Sequence, residues 1–220
     1  NTTVFSPRKS MLTIDQIVNH ALSQKHKAIS ITDNANLYGA FRFYKKCLDK
    51  NIKPIIGSKI FLVDSLDEKT KEWYNITLLV KNSSGYKNLC NILTRAYIDG
   101  FYYVPRTSIE SLRGKTDGLI CISSNDGPLY RALYDQKSEP LMQFYFDQLA
   151  TIFGDDMYTA VTAKQVMTPE ARFIADKFKD KCTIFCDAKY VNIDAAQSFY
   201  MLQCIDKKRK FQDNFDVYNM

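Results

Sequence analysis

A chain of 220 residues that is 45% hydrophobic can bury a sizeable core, which excludes intrinsic disorder and suits one large domain or two small ones. No run approaches the roughly 18 apolar residues of a membrane span, and no signal-peptide pattern opens the chain. The formal charge of +6 permits a polyanionic partner without demanding one.

The chain opens on Asn1 rather than methionine, so it is expected to be a piece of something longer. Thr13 and Gln16 form a capping box, and Ile14, Ile17, Val18, Ala21 and Leu22 follow at helical spacing. A strand "AISIT" comes next, then a helix from about Tyr38 to Lys50 and, past Pro54, the strand "IIGSKIFLV". A polar segment, "DSLDEKTKEW", leads to the strand "ITLLV" and to a helix carrying Leu89, Ile92, Leu93 and Ala96. After "GFYYVPR" the pattern gives a short helix near 108–112, the strand "GLICIS", and helices near 127–136 and 138–152. The strand "MYTAVTA", a helix opened by Thr168 and Pro169, the strand "CTIFCDA" and a helix over 194–208 complete the chain.

Strands and helices alternate with short connections, the pattern of right-handed βαβ units around a largely parallel sheet. No repeat or Gly/Pro-rich linker divides the chain, so residues 1–220 read as a single α/β domain. A closed barrel fits better than a doubly wound sheet, because the nearest candidate for a phosphate loop, "SSNDGP", lacks the glycines. Barrels of this kind place function at the carboxyl ends of strands. That singles out Asp33, Asn34, Lys59, Asn125 and the segment from Asp187 to Lys189.

The six cysteines stand at 47, 90, 121, 182, 186 and 204. Cys182 and Cys186, with three residues between them and no second pair, make a poor zinc signal, and the usage reads as cytosolic and reduced. His20 and His26 have no second ligand at a useful spacing and read as structural or surface residues. Lys207, Lys208, Arg209 and Lys210 form the one dense basic run, either a solvated helix end or a DNA contact.

"AISITDNANLYGAFRFYKKCLDKNIKPIIGSKIFL", "LLVKNSSGYKNLCNILTRAY" and "GFYYVPR" together resemble the PHP (polymerase and histidinol phosphatase) domain of the bacterial DNA polymerase III alpha subunit, over nearly the whole chain. The resemblance implies a distorted seven-stranded (β/α) barrel of the PHP type, similar to a TIM barrel. Metal-binding members hold up to three metals with a His-x-His pair, a Thr-Asp-His triplet, a Glu, a further His, a Cys and a final Asp-x-His. Carried over by motif, the second histidine of the pair falls on Thr2, and the triplet reads Thr32, Asp33, Asn34. The glutamate position is Lys59, the further histidine Asn75 and the cysteine Asn125, while the last motif reads Asp187, Ala188, Lys189.

Only Asp33 and Asp187 keep a ligand's chemistry in that set. Asparagine oxygen is a feeble transition-metal ligand and an ammonium repels the cation. Two acids in a concave site call for positive charge, and Lys59 and Lys189 stand at former ligand positions. The resemblance therefore implies a domain with no catalytic residue and no metal of its own, Mg²⁺ being expected only in a polymerase core that this chain lacks. The parent would be a DnaE-type, DNA-directed DNA polymerase of bacterial DNA replication, since no inserted exonuclease interrupts Thr3 to Lys189. The expected partners are the remainder of the polymerase chain, a separate proofreading exonuclease, other replisome proteins, and DNA through the full-length protein, with no membrane. The rival reading is an active metal-dependent phosphoesterase or 3′–5′ proofreading exonuclease.

Overall fold

The computed structural model describes residues 1–162, 168–186 and 188–210. In chain order the elements are α1 (Ile14–Ser23), β1 (Ala28–Asn34), α2 (Ala40–Asp49), β2 (Lys53–Val63), β3 (Tyr74–Val80) and α3 (Ser83–Ile98). Then come β4 (Phe101–Tyr102), β5 (Val104–Ser108), α4 (Ile109–Leu112), β6 (Leu119–Ser123), α5 (Pro128–Tyr134) and α6 (Glu139–Phe153). The last are β7 (Met157–Thr162), α7 (Pro169–Lys177), β8 (Cys182–Phe185) and α8 (Ala196–Asp206). The chain is α/β, as its motifs imply.

The elements gather into two compact units, one built from Asn1–Ile56 with Asp187–Met220, the other from Gly57–Cys186. In the first, the Thr13 hydroxyl accepts from the Gln16 N–H at 3.2 Å while the Gln16 side chain accepts from the Thr13 N–H at 2.9 Å, closing the capping box. Ile14, Ile17, Val18 and Ala21 of α1 then pack with Ile31 of β1 and with Phe43 and Cys47 of α2. Lys53 N–H donates to the Lys27 carbonyl at 2.9 Å, so the start of β2 runs beside β1.

In the second unit the strand order is β4-β5-β2-β3-β6-β7-β8. The sheet is mixed rather than largely parallel: β3 runs antiparallel to both β2 and β6, while β2–β5, β6–β7 and β7–β8 are parallel. The reason is legible in the connection. Residues 64–73 are polar and form no helix, so β2 and β3 have no crossover and can pair only as antiparallel neighbours. "FYYVPR" forms a tight hairpin in which Phe101 pairs with Pro105 and Tyr102 with Val104, with Tyr103 at φ 62° in the turn. Periodicity misses such short strands.

Boundaries moved by a few residues elsewhere. β2 begins at Lys53, before Pro54, and α8 spans 196–206 after a 3-10 turn over Ile193–Ala195. Thr168 caps α7 through the Ala171 N–H.

Candidate functional site

Within the first unit, Asn1 to Thr3 are tied to β1. The Asn1 carbonyl accepts from the Thr32 N–H at 2.7 Å, and the Asn1 side-chain amide donates to the Ser30 carbonyl at 2.9 Å. This brings Thr3 and Ser6 onto Asp33, which is only 2% exposed. Asp33 Oδ1 accepts from the Thr3 N–H at 2.7 Å and from the Ser6 hydroxyl at 2.8 Å, and Oδ2 accepts from the Thr3 hydroxyl at 2.7 Å. Both hydroxyls are oriented by a second bond: Thr3 Oγ1 accepts from Phe5 N–H at 3.1 Å, and Ser6 Oγ from Asn34 N–H at 2.9 Å. Each must therefore point its own proton at the carboxylate. Three of about four lone-pair sites on Asp33 are thereby engaged, and hydrogen bonds to a charged group contribute roughly 1.5–3 kcal/mol each.

Two further positions singled out in the sequence meet in this unit. Lys189 Nζ lies 3.3 Å from the Thr2 hydroxyl, and the Lys189 carbonyl accepts from Met11 N–H at 2.9 Å. The Thr2 carbonyl in turn takes the Ser10 hydroxyl at 2.6 Å. Two positions where the family carries histidine thus hold an ammonium and a hydroxyl in contact. Asn34 contributes its backbone N–H to Ser6 and its carbonyl to the Asn36 side chain. Asp187 lies outside the described residues.

In the second unit, Lys59 is not at the carboxyl end of its strand, as the barrel pattern suggested, but in mid-strand opposite Thr77. β2 runs on for four residues past Lys59 to Val63, the end that the apolar run gives, so the lysine falls inside the strand. Lys59 is 8% exposed, and its ammonium stands 5.7 Å from the centroid of the Phe185 ring, a cation–π distance. Asn75, at the start of β3, donates its side-chain amide to Asp126 Oδ2 at 3.0 Å and its N–H to the Asp126 carbonyl at 2.8 Å. Ser124 donates to Asp126 Oδ1 at 3.1 Å. The side chain of Asn125 takes part in none of these contacts; its neighbour Asp126 is the organising residue. Asp126, Thr3 and Ser6 escaped the sequence reading because none occupies a family ligand position.

Lys207, Lys208, Arg209 and Lys210 are exposed just beyond α8 and are not brought to any of the residues above. All six cysteines are free thiols, and burial pushes Cys47 up to about 11. A cavity of about 390 Å³ opens in the second unit between Asp64, Glu72, Trp73, Tyr74 and Arg131, and no former ligand position lines it. No described helix is long and apolar enough to cross a membrane.

The donor chemistry decides whether a divalent metal fits. Among the described residues no three His, Cys, Asp or Glu side chains converge. Of the two acids at former ligand positions, Asp33 is turned toward two hydroxyls and an amide, and the other described ligand positions of its unit hold Thr2, Asn34 and Lys189. Among the described residues, that set of hydroxyl, amide and ammonium groups does not fit a divalent cation.

The comparisons agree with the motifs. The PHP domain model matches residues 1–163. The DNA polymerase III subunit alpha of Aquifex aeolicus is 31% identical over 96% of this chain and 20% of its own length. That of Helicobacter pylori is 40% identical over 69% of this chain and 13% of its own length. The chain thus spans about a fifth or less of the length of these relatives. Among solved structures, a candidate metal-dependent phosphoesterase from Bifidobacterium adolescentis shares the fold with a TM-score of 0.51 and 12% identity, over 91% of this chain and 94% of its own. The chain belongs to the PHP domain family, homologous to part of the bacterial DNA polymerase III alpha subunit.

Proposed function

We propose that this chain is a PHP domain without hydrolytic chemistry, a structural and docking part of a DNA-directed DNA polymerase that copies DNA in the bacterial cytoplasm. The observation that carries the reading is the state of Asp33. A carboxylate at a ligand position of the metal-binding members is held here by Thr3 and Ser6, whose protons are aimed at it by their own backbone partners. Without an acidic metal-bound water or a Lewis acid on the phosphate, the fold has no means to hydrolyse an ester. The polymerase chemistry and its Mg²⁺ belong to the rest of the parent chain. That remainder, a proofreading exonuclease and other replisome proteins are the proposed partners.

The rival, an active phosphoesterase or 3′–5′ exonuclease, is favoured by the description of the Bifidobacterium neighbour and opposed by the donor set. One experiment separates the two. The chain purified without chelators should carry no stoichiometric Zn, Mn or Fe by elemental analysis, and should leave single-stranded 3′ ends and simple phosphate esters intact. Two or three tightly held metals per chain, with hydrolysis that chelation abolishes, would overturn the reading.

A further inference from the structure

We infer that α2 is a single-stranded nucleic-acid platform, with Phe41, Tyr44 and the preceding Tyr38 offering rings to unpaired bases and Arg42, Lys45 and Lys50 facing the phosphates. The inference stands on this helix's own geometry and does not depend on the polymerase reading.

α2 carries apolar residues on two sides. Ala40, Phe43 and Cys47 are buried against the first unit's core. Phe41, Tyr44 and Leu48 repeat the same spacing one residue along and are left outside. Phe41 is 77% exposed and Tyr38 69%. Covering large rings with water is costly, so a stripe of this kind implies an occupant.

What the occupant is follows from the charges around it. All of the formal charge of +6 resides in the first unit, where 14 Lys and Arg face 8 Asp and Glu, whereas the second unit has 16 of each. On α2, Lys45 lies one turn beyond Phe41, and Arg42 one turn before Lys45, so cations and rings are neighbours on the surface. Among the described residues Arg42, Lys45, Lys50 and Lys53 make no ion pair, while Lys46 is paired with Asp15. The exposed acid on this stretch is Asp49.

The rings are unused as well. Among the described residues Tyr38, Phe41 and Tyr44 stack on no ring and lie beneath no cation. Exposed rings of the second unit mostly have a partner: Tyr97 stacks on Phe101, Phe144 meets Tyr145, and Lys71, Lys137 and Lys177 cover Tyr103, Tyr134 and Phe173. Open aromatic faces beside unpaired cations match what a single strand presents, a π-face on each base and a regular line of phosphates. A duplex keeps its bases stacked inside and could use only the cations.

The test is fluorescence anisotropy on the 220-residue chain with oligothymidylate and oligouridylate of roughly 20 nucleotides, longer than the 4–16 that one such surface engages, and with a duplex of the same length. The two single strands separate DNA from RNA as the preferred ligand. Phe41→Ala and Tyr44→Ala should each weaken single-strand binding about tenfold, the loss expected for one stacked base. Arg42→Gln with Lys45→Gln should lower the slope of log affinity against log salt by about 0.7 per charge removed. Phe41→Trp keeps a ring in place, so it should retain binding, and its added emission should be quenched by the strand. Cys47, buried on the inner side of α2, should stay protected from alkylation in both alanine variants, so that lost binding is not lost folding; the proposal is overturned if these variants bind like the parent. Absence of quenching in Phe41→Trp, or a duplex bound as tightly as the single strands, would overturn it too.

Discussion

The two units answer the same demand, a folded α/β structure, with opposite surfaces. The second neutralises itself. Lys81 pairs with Asp156, Arg131 with Asp135, Lys137 with Glu170 and Lys177 with Glu139, and its exposed rings are mostly covered from within. The first keeps an excess of cations outside, beyond the few paired with Asp15 and Asp206, and buries one acid, Asp33, under Thr3 and Ser6. Surface ion pairs contribute little stability, so the second unit's pairing bears on its surface charge more than on its stability. The first unit's imbalance leaves an attraction unspent.

The sharpest way to break this comparison is to remove the acid on which the first unit turns. Asp33→Ala would leave two hydroxyls and an amide buried without their acceptor, and the expected loss of stability is about 4 kcal/mol. Two probes localise it. Trp73, the single tryptophan, reports on the second unit, and alkylation of buried Cys47 reports on the first. In denaturant, Cys47 should become reactive well before the Trp73 emission changes. A coincident shift of both probes would show that the units unfold as one and that the contrast is confined to the surface.

Gly85→Ala probes the other side. In a helix this change usually gains about 1 kcal/mol. Here a Cβ would stand 1.9 Å from the Gly118 carbonyl oxygen, which also accepts from the Lys81 N–H, while the Gly85 N–H is held by the Asn82 cap. Backbone held this way cannot give, so the sign should reverse to a loss of about 2–3 kcal/mol. The loss should be seen first in Trp73. A variant as stable as the parent would mean that α3 can slide away from the residues leading into β6, despite the close approach of Gly85 to Gly118.

What could be read in advance divides along similar lines. α1, its capping box and the α2–β2 stretch were legible because the apolar period and the cap residues coincide. The parallel sheet was an extrapolation from alternation. It failed at β3, where the physical cause, a polar connection too irregular to be a crossover helix, was visible as "DSLDEKTKEW" but carries no direction by itself. The site was legible as a list of positions and not as a structure. Motif spacing marks Asp33, Lys59 and Asn75, yet what those residues do is decided by Thr3, Ser6, Phe185 and Asp126, which belong to no motif. Long-range hydrogen bonds between small polar residues leave no period to detect.

The smallest expected effect concerns Cys47, on the buried face of the helix whose outer face is left open. Burial lifts its thiol from the ordinary value of 9.0 to about 11. The sign follows from which state ionises first. Below pH 9 both the folded and unfolded chains hold the proton, so the group contributes no pH dependence. As pH rises from 9 toward 11 the unfolded chain releases the proton while the folded one keeps it, so folding becomes less favourable across that window. The first unit should therefore lose stability between pH 9 and 11. Tyrosines and lysines titrate nearby, so the useful quantity is the difference from Cys47→Ala. That variant removes a small buried group and should be somewhat less stable at neutral pH. Its stability should fall less steeply through the alkaline window. Denaturant midpoints followed by circular dichroism, for both proteins at several pH values, measure the two slopes. Parallel curves would mean that the Cys47 thiolate is tolerated inside, and that the inner face of α2 is less sealed than its burial implies. Diverging curves would place the boundary between dry and wet along α2 at the step from Cys47 to Leu48.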